Sequence, residues 1–212
     1  MSTSILYHSQ GISDYTYQRT FYEGGAIIYK INPQSRLIRC PICGCREVSP
    51  RGSVRRRIML LPTGTHKNYA EVNIPRVYCP HCNKLRQIKV VFADEQRSYS
   101  RTFERYVLGL CELMPIQDVS LHLGISWGTV KEIHKRRLVK KYGSPSLKWL
   151  SSIAIDEISI GAGHHYLTVV LNLENGAVVF VGDGKGSDIP AVGMPVARRP
   201  RLEPVCWRIL TT

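Results

Sequence analysis

The sequence predicts an α+β fold built from three successive parts, and three observations carry that prediction. Two Cys-x-x-Cys pairs, Cys40-Pro-Ile-Cys43 and Cys79-Pro-His-Cys82, bracket a basic segment whose apolar residues alternate as in strands. From Phe103 the apolar period becomes helical, with Phe103, Tyr106, Val107, Leu110 and Leu113 on one face. From Ile153 to Gly182 come three β-rich runs, the last two joined at Asn175-Gly176, a strong hairpin signal.

The first part covers residues 1–95. Residues 1 to 39 say little, apart from a strand at Ala26–Ile31 closed by Asn32-Pro33 and expected to pack on the cysteine-bracketed module. Each Cys-x-x-Cys turn lets two thiolates reach one ion about 2.3 Å away, so Cys40, Cys43, Cys79 and Cys82 read as a tetrahedral zinc site. Iron is the other metal such a set could hold. A disulfide pair competes, but the N-terminus has no basic stretch followed by an apolar one that would mark export, so metal is favoured. Of the seven cysteines, Cys45 sits beside the first knuckle as an alternative ligand, Cys111 falls in an apolar helical pattern, and Cys206 is left over. Between the knuckles, Arg57–Leu61 and Tyr69–Ile74 read as strands joined by a turn at Pro62–Gly64. Arg55, Arg56 and Arg57 are expected to contact phosphate, against the alternative of a solvated face.

The second part covers residues 98–145. After the first helix, Pro115 opens a second, where a missing N–H is harmless. Gly124 is placed to supply a left-handed helix end and Ser126 to cap a third helix from Trp127 to about Lys141, with Val130, Ile133 and Leu138 inward. Two helices joined by such a turn make a helix-turn-helix, whose second helix enters the major groove of duplex DNA. Trp127, Thr129, Lys131 and Glu132 are the candidates to meet bases; Lys131, Lys135, Arg136, Arg137, Lys140 and Lys141 would follow phosphates. A plain helical hairpin is the alternative.

Gly143–Ser146 reads as a linker to the third part, residues 150–188. Ile153–Ile160 is expected to be a strand buried on both faces yet carrying Asp156 and Glu157, which alternation sends to opposite faces. With His165–Leu173 and Ala177–Gly182 it fits the opening of an incomplete ribonuclease-H-like α/β core; a solvated edge strand with incidental acids is the alternative. From about residue 189 to 212 prolines and arginines replace any helical period, and this stretch is expected to be an aberrant tail from a frameshift or rearrangement.

The net charge of +13 calls for a polyanionic partner, with nucleic acid first. No apolar run approaches the ~18 residues of a membrane span, so a cytoplasmic, nucleoid-associated protein is expected, without a membrane partner.

The order of these parts resembles the N-terminal half of a bacterial insertion-sequence transposase of the ISL-three type, over roughly residues 36–188. The stretches that carry the likeness are Cys40-Pro-Ile-Cys43-Gly44, Arg76-Val-Tyr-Cys79-Pro-His-Cys82, the helices from Phe103 to Lys141, and Ala154-Ile-Asp156-Glu157 with His165-Tyr-Leu-Thr-Val169. The resemblance implies DNA-mediated transposition, acting on double-stranded DNA at terminal inverted repeats, with structural zinc. It also implies magnesium or manganese on an Asp-Asp-Glu (DDE) triad, because two ions must activate the attacking oxygen and stabilise the leaving one. Asp156 matches the first acid; no residue of this chain matches the second or the third. A catalytically incomplete copy is therefore expected, acting as a homo-oligomer or with the full-length transposase. The alternative is a zinc-dependent DNA-binding regulator that occupies transposon ends and blocks that enzyme.

Overall fold

The computed structural model of the chain describes residues 5–142, 150–160, 163 and 165–184. They fall into two units, one within residues 1–141 and one within 142–212, and each is taken by itself. The linker expected at Gly143–Ser146 and the tail from residue 189 lie outside the described residues.

The first unit opens with a short helix, α1 (Ile5–Gln10), and a hairpin of β1 (Tyr15–Glu23) and β2 (Ala26–Pro33). A second hairpin comes next, of β3 (Ser49–Thr63) and β4 (His66–Cys79), then a short β5 (Lys84–Gln87). These make one sheet in the order β1-β2-β4-β3, with β5 also paired to β4. Only the β2–β4 junction is parallel, Ile31 lying opposite Val72. The strands predicted at Arg57–Leu61 and Tyr69–Ile74 are thus the middle of far longer ones, and the turn falls at Gly64-Thr65, where Gly64 takes φ +59°. Pro62 stays inside β3 because a bulge between Leu60 and Thr63 leaves its missing N–H out of the ladder.

Alternation sends Ile31, Ile58, Leu60, Ala70, Val72 and Ile74 to one face, where each is at most 1% exposed. Leu6 of α1, Ile88 and Phe92 close that face into a core. The Gln10 side chain ends α1 on the backbone of Leu61, accepting from its N–H at 2.9 Å and donating to its carbonyl at 3.3 Å.

Three helices complete the unit: α2 (Arg101–Cys111), α3 (Ile116–Leu123) and α4 (Trp127–Tyr142). Phe103, Val107, Val119, Leu123, Val130 and Ile133 form their core, and the half-buried Cys111 packs on its rim, where burial raises its thiol pKa. Leu113 does not join: α2 ends two residues earlier and Leu113 is 81% exposed. Leu138 also stays out, because α4 has 16 residues against the 8 of α3 and its last turns run past the core. The helices are stitched to β3: Met59 N–H donates to the Ser98 carbonyl at 2.7 Å, and Ser100 N–H donates to the Met59 carbonyl at 2.8 Å. Ser100 then caps α2, its hydroxyl accepting from Phe103 N–H.

The second unit contains an antiparallel sheet of β6 (Ile153–Ser159), β7 (Tyr166–Asn172) and β8 (Val178–Asp183), in that order. Asn175-Gly176 makes the second turn, with Gly176 at φ +69°. The expectation that β6 is buried on both faces is not met. It is an edge strand, and Ile155 and Ile158 are 49% and 50% exposed. Among the described residues, no helix is long and apolar enough to cross a membrane.

Candidate metal centre and nucleic-acid interface

The two Cys-x-x-Cys turns have the same build. In the first, Gly44 N–H donates to the Cys40 carbonyl at 2.9 Å, and Gly44 takes φ +76° to let the chain turn back. In the second, Cys79 at the end of β4 pairs with Lys84 of β5, and Asn83 takes φ +50°, held by Tyr78 Oη at 2.7 Å. The strand end and the loop after β2 bring the four sulfurs within 4.8 Å of one another. Cys40 Sγ lies 3.9 Å from Cys82 Sγ, and Cys43 Sγ lies 3.6 Å from Cys79 Sγ. A regular tetrahedron of sulfurs about 2.3 Å from a central zinc has edges of about 3.8 Å, so this donor set fits the ion in type, number and spacing. All six described cysteines are free thiols, which removes the disulfide alternative among them. Cys45 is not in the set; its Sγ turns toward the Glu47 carbonyl at 3.9 Å.

The electrostatics of the four thiols pull against one another. Backbone N–H groups of Cys43 and then Ile42 point at the Cys40 sulfur and bring its pKa down to about 6. Cys82 is pushed up to about 12, first by its hydrogen bond to Cys43, because a further anion among thiolates is costly. A dication at the centre removes that conflict by neutralising the whole set.

In the helix-turn-helix the predicted turn chemistry is present. Gly124 ends α3 at φ +58°, ψ +40°, and Ser126 Oγ accepts from Thr129 N–H at 3.2 Å to cap α4. Trp127, Lys131, Glu132 and Lys135 are exposed on α4, and Lys131 Nζ sits 4.9 Å from the Trp127 ring centre. Thr129 hydrogen-bonds its side chain to Ser126 at 2.8 Å and so belongs to the cap. Arg137 and Lys140 are exposed near the end of the helix.

Arg136, expected to follow phosphates, braces the fold. Its guanidinium donates to Tyr99 Oη at 2.6 Å and to Glu104 Oε1 at 3.1 Å, fastening α4 to α2 and to the segment that bridges β3. The arginine triplet does not form one patch either, because neighbours on a strand face opposite ways. Arg57 pairs with Glu23 at 2.9 Å and Glu71 at 3.5 Å, and Arg55 reaches Glu71 at 3.9 Å. Arg56, on the core side, donates to the Arg97 carbonyl at 2.6 Å.

Lys67 carries no signal in the sequence. From the start of β4 its ammonium donates to the Gly124 carbonyl at 2.7 Å, tying the sheet to the turn before the exposed helix. No local pattern pairs residues 57 apart. Asp156 accepts from Glu157 N–H at 2.9 Å. It lies opposite Val169 while Glu157 lies opposite Thr168, on the other face. Among the described residues, the four cysteines are the only group of three or more side chains gathered to hold a metal.

Residues 36–82 match the family described as the zinc-finger of transposase IS204/IS1001/IS1096/IS1165. Residues 88–138 match the helix-turn-helix domain of transposase family ISL3. The transposase for insertion sequence element IS1001 from Bordetella parapertussis is 24% identical over 168 residues, which are 78% of this chain and 41% of that protein. The transposase for insertion sequence element IS1557 from Mycobacterium tuberculosis is 29% identical over 171 residues, 76% of this chain and 37% of that protein. The chain thus spans about two fifths of the length of these curated relatives. No solved structure matches it. The zinc-finger match and the four gathered thiols together support a structural zinc. The chain thus carries a zinc-finger and a helix-turn-helix segment of the ISL3 transposase type, and over about three quarters of its length it is similar to insertion-sequence transposases.

Proposed function

We propose that this chain is the zinc-stabilised, DNA-binding part of an insertion-sequence transposase and engages double-stranded DNA at the element's terminal inverted repeats. The observation that carries this is the exposed, cationic α4, capped by Ser126 and held on the sheet through Lys67 and Arg136. A rigidly mounted helix with Trp127, Lys131 and Lys135 outward suits the major groove. Cys40, Cys43, Cys79 and Cys82 hold zinc. In this proposal residues 1–95 form the zinc module, 98–145 the DNA reader, and 150–188 the opening of a ribonuclease-H-like core with Asp156 as the first of three acids.

Magnesium or manganese would be the ion such a core takes, and it would supply Lewis-acid activation of an oxygen nucleophile and stabilisation of a leaving oxygen. Asp156 would hold such an ion from its sheet face. No triad of carboxylates converges around Asp156 among the described residues. The second reading is a protein that occupies transposon ends, alone or with a full-length transposase, without cutting them. The test is a binding titration on inverted-repeat duplexes, zinc-loaded and then chelated, followed by added magnesium. Zinc-dependent binding without nicking supports the occupying role. Nicking that is lost in Asp156→Ala would establish catalysis by this chain. Equal affinity for inverted repeats and unrelated duplex would overturn the proposed target.

A further inference from the structure

Once Arg55 and Arg57 are paired with Glu23 and Glu71, the remaining cations of the sheet gather at one end. Arg39, Arg46, Arg51, Arg76, Lys84 and Arg86 are all exposed around the four-cysteine set, and none makes an ion pair among the described residues. Between residues 36 and 88 the only acids are Glu47 and Glu71, and Glu71 is held by Arg55 and Arg57. Four thiolates around a zinc dication carry a net charge of about −2. Six cations offset that charge and Glu47 and still leave the end positive.

The position of this end matters. β4 starts beside the helix-turn-helix, where Lys67 holds Gly124, and finishes at the ligand Cys79. Thirteen steps of extended chain separate His66 from Cys79, so at about 3.3 Å each the two ends stand roughly 40 Å apart. One turn of B-form DNA is about 34–36 Å. A duplex that runs from α4 along β4 would bring phosphates to the other end of the strand about one turn away.

We propose that the zinc end of the sheet is a second DNA contact, a phosphate clamp that grips the duplex about one helical turn from the recognition helix. This rests on the DNA-binding function above and adds where, how far away and with which residues the second grip is made. The zinc shapes this contact, since the two knuckles and β5 hold Arg46, Lys84 and Arg86 at the sheet's end.

The test uses random-sequence duplexes of about 8 base pairs (closed as a hairpin) and about 30 base pairs; at about 27 Å the first is shorter than one helical turn and cannot reach both ends. Affinity is measured across salt concentrations for the zinc-loaded chain and for a variant with Arg46→Gln, Arg51→Gln, Lys84→Gln and Arg86→Gln. Each phosphate contact steepens the logarithmic salt dependence by about 0.9. Wild-type protein should show a slope steeper by about 3–4 on the long duplex than on the short one. The variant should lose most of that length dependence, its slope on the long duplex falling by about 3–4, and bind the long duplex at least tenfold more weakly at low salt. The charge-preserving set Arg46→Lys, Arg51→Lys, Lys84→Arg and Arg86→Lys should restore the length dependence, which separates charge from folding. A neutral variant that keeps the wild-type slope on the long duplex overturns the clamp. If Lys131→Gln with Lys135→Gln still weakens binding in that case, the DNA-binding function stands without the clamp. If the wild-type chain binds neither these duplexes nor an inverted-repeat duplex, that function falls and the clamp with it.

Discussion

Replacing Gly124 with alanine should destabilise the protein through two separable effects. The left-handed backbone at φ +58° costs an L-residue about 1–2 kcal/mol, slightly offset by a less flexible unfolded chain. The new Cβ would also stand 2.7 Å from Lys67 Nζ and 3.1 Å from its Cε. The lysine would have to swing away and give up its 2.7 Å bond to the Gly124 carbonyl, which at an exposed site is worth about 1 kcal/mol. Gly124→Ala should therefore cost about 2 kcal/mol. For a chain of this size that lowers Tm by about 4–8 °C. In a Lys67→Ala background the second effect is already gone, and the same change should cost only about 1 kcal/mol. The assay is thermal unfolding of zinc-loaded wild type, the two single variants and the double variant, read as a double-mutant cycle. Strictly additive losses would refute the Lys67 tether, and a neutral Gly124→Ala would refute the left-handed cap.

Three further outcomes are expected. Purified protein should contain one zinc per chain by elemental analysis, and Cys79→Ser should lose it, whereas Cys45→Ser should retain it because that sulfur faces the Glu47 carbonyl. Tyr99→Phe should cost about 1 kcal/mol in thermal unfolding by removing the 2.6 Å acceptor of Arg136, without altering zinc content. Ser126→Ala should cost about 1 kcal/mol by uncapping α4, with a matching loss of helical circular dichroism at elevated temperature.

The parts of the site governed by local chemistry are legible in the sequence. Two thiols three positions apart in a tight turn can face one ion, and Gly124 with Ser126 leaves the chain little choice but to end one helix and start another. The pairings are not legible. Arg57 finds Glu23 only because β1 and β2 fold back beside β4, and Lys67 finds Gly124 only because the helices dock on the sheet. Both acts lie outside any sequence window. The arginine triplet looks like one patch because composition counts charges, while a strand deals them alternately to its two faces. Leu113 and Leu138 obey the helical period but lie past the ends of the packing partners. β1 escapes prediction because an exposed edge strand carries no alternating apolar signal.

The mixed origin of the sheet's core bears on how the chain is made. Leu6 and Ile12 pack in the same cluster as Ile88 and Phe92, and β2 reaches across more than forty positions to pair with β4. Such distant pairings carry a high contact order and form slowly. The helices draw the buried part of their own core from residues 99–133, far closer in sequence, and that cluster can form more quickly. During synthesis, then, the sheet module cannot finish until Phe92 has left the ribosome, about eighty residues after Ile12. Until then β1 and β2 are an open ribbon with free edges, the stage at which a nascent chain is most exposed to misassociation.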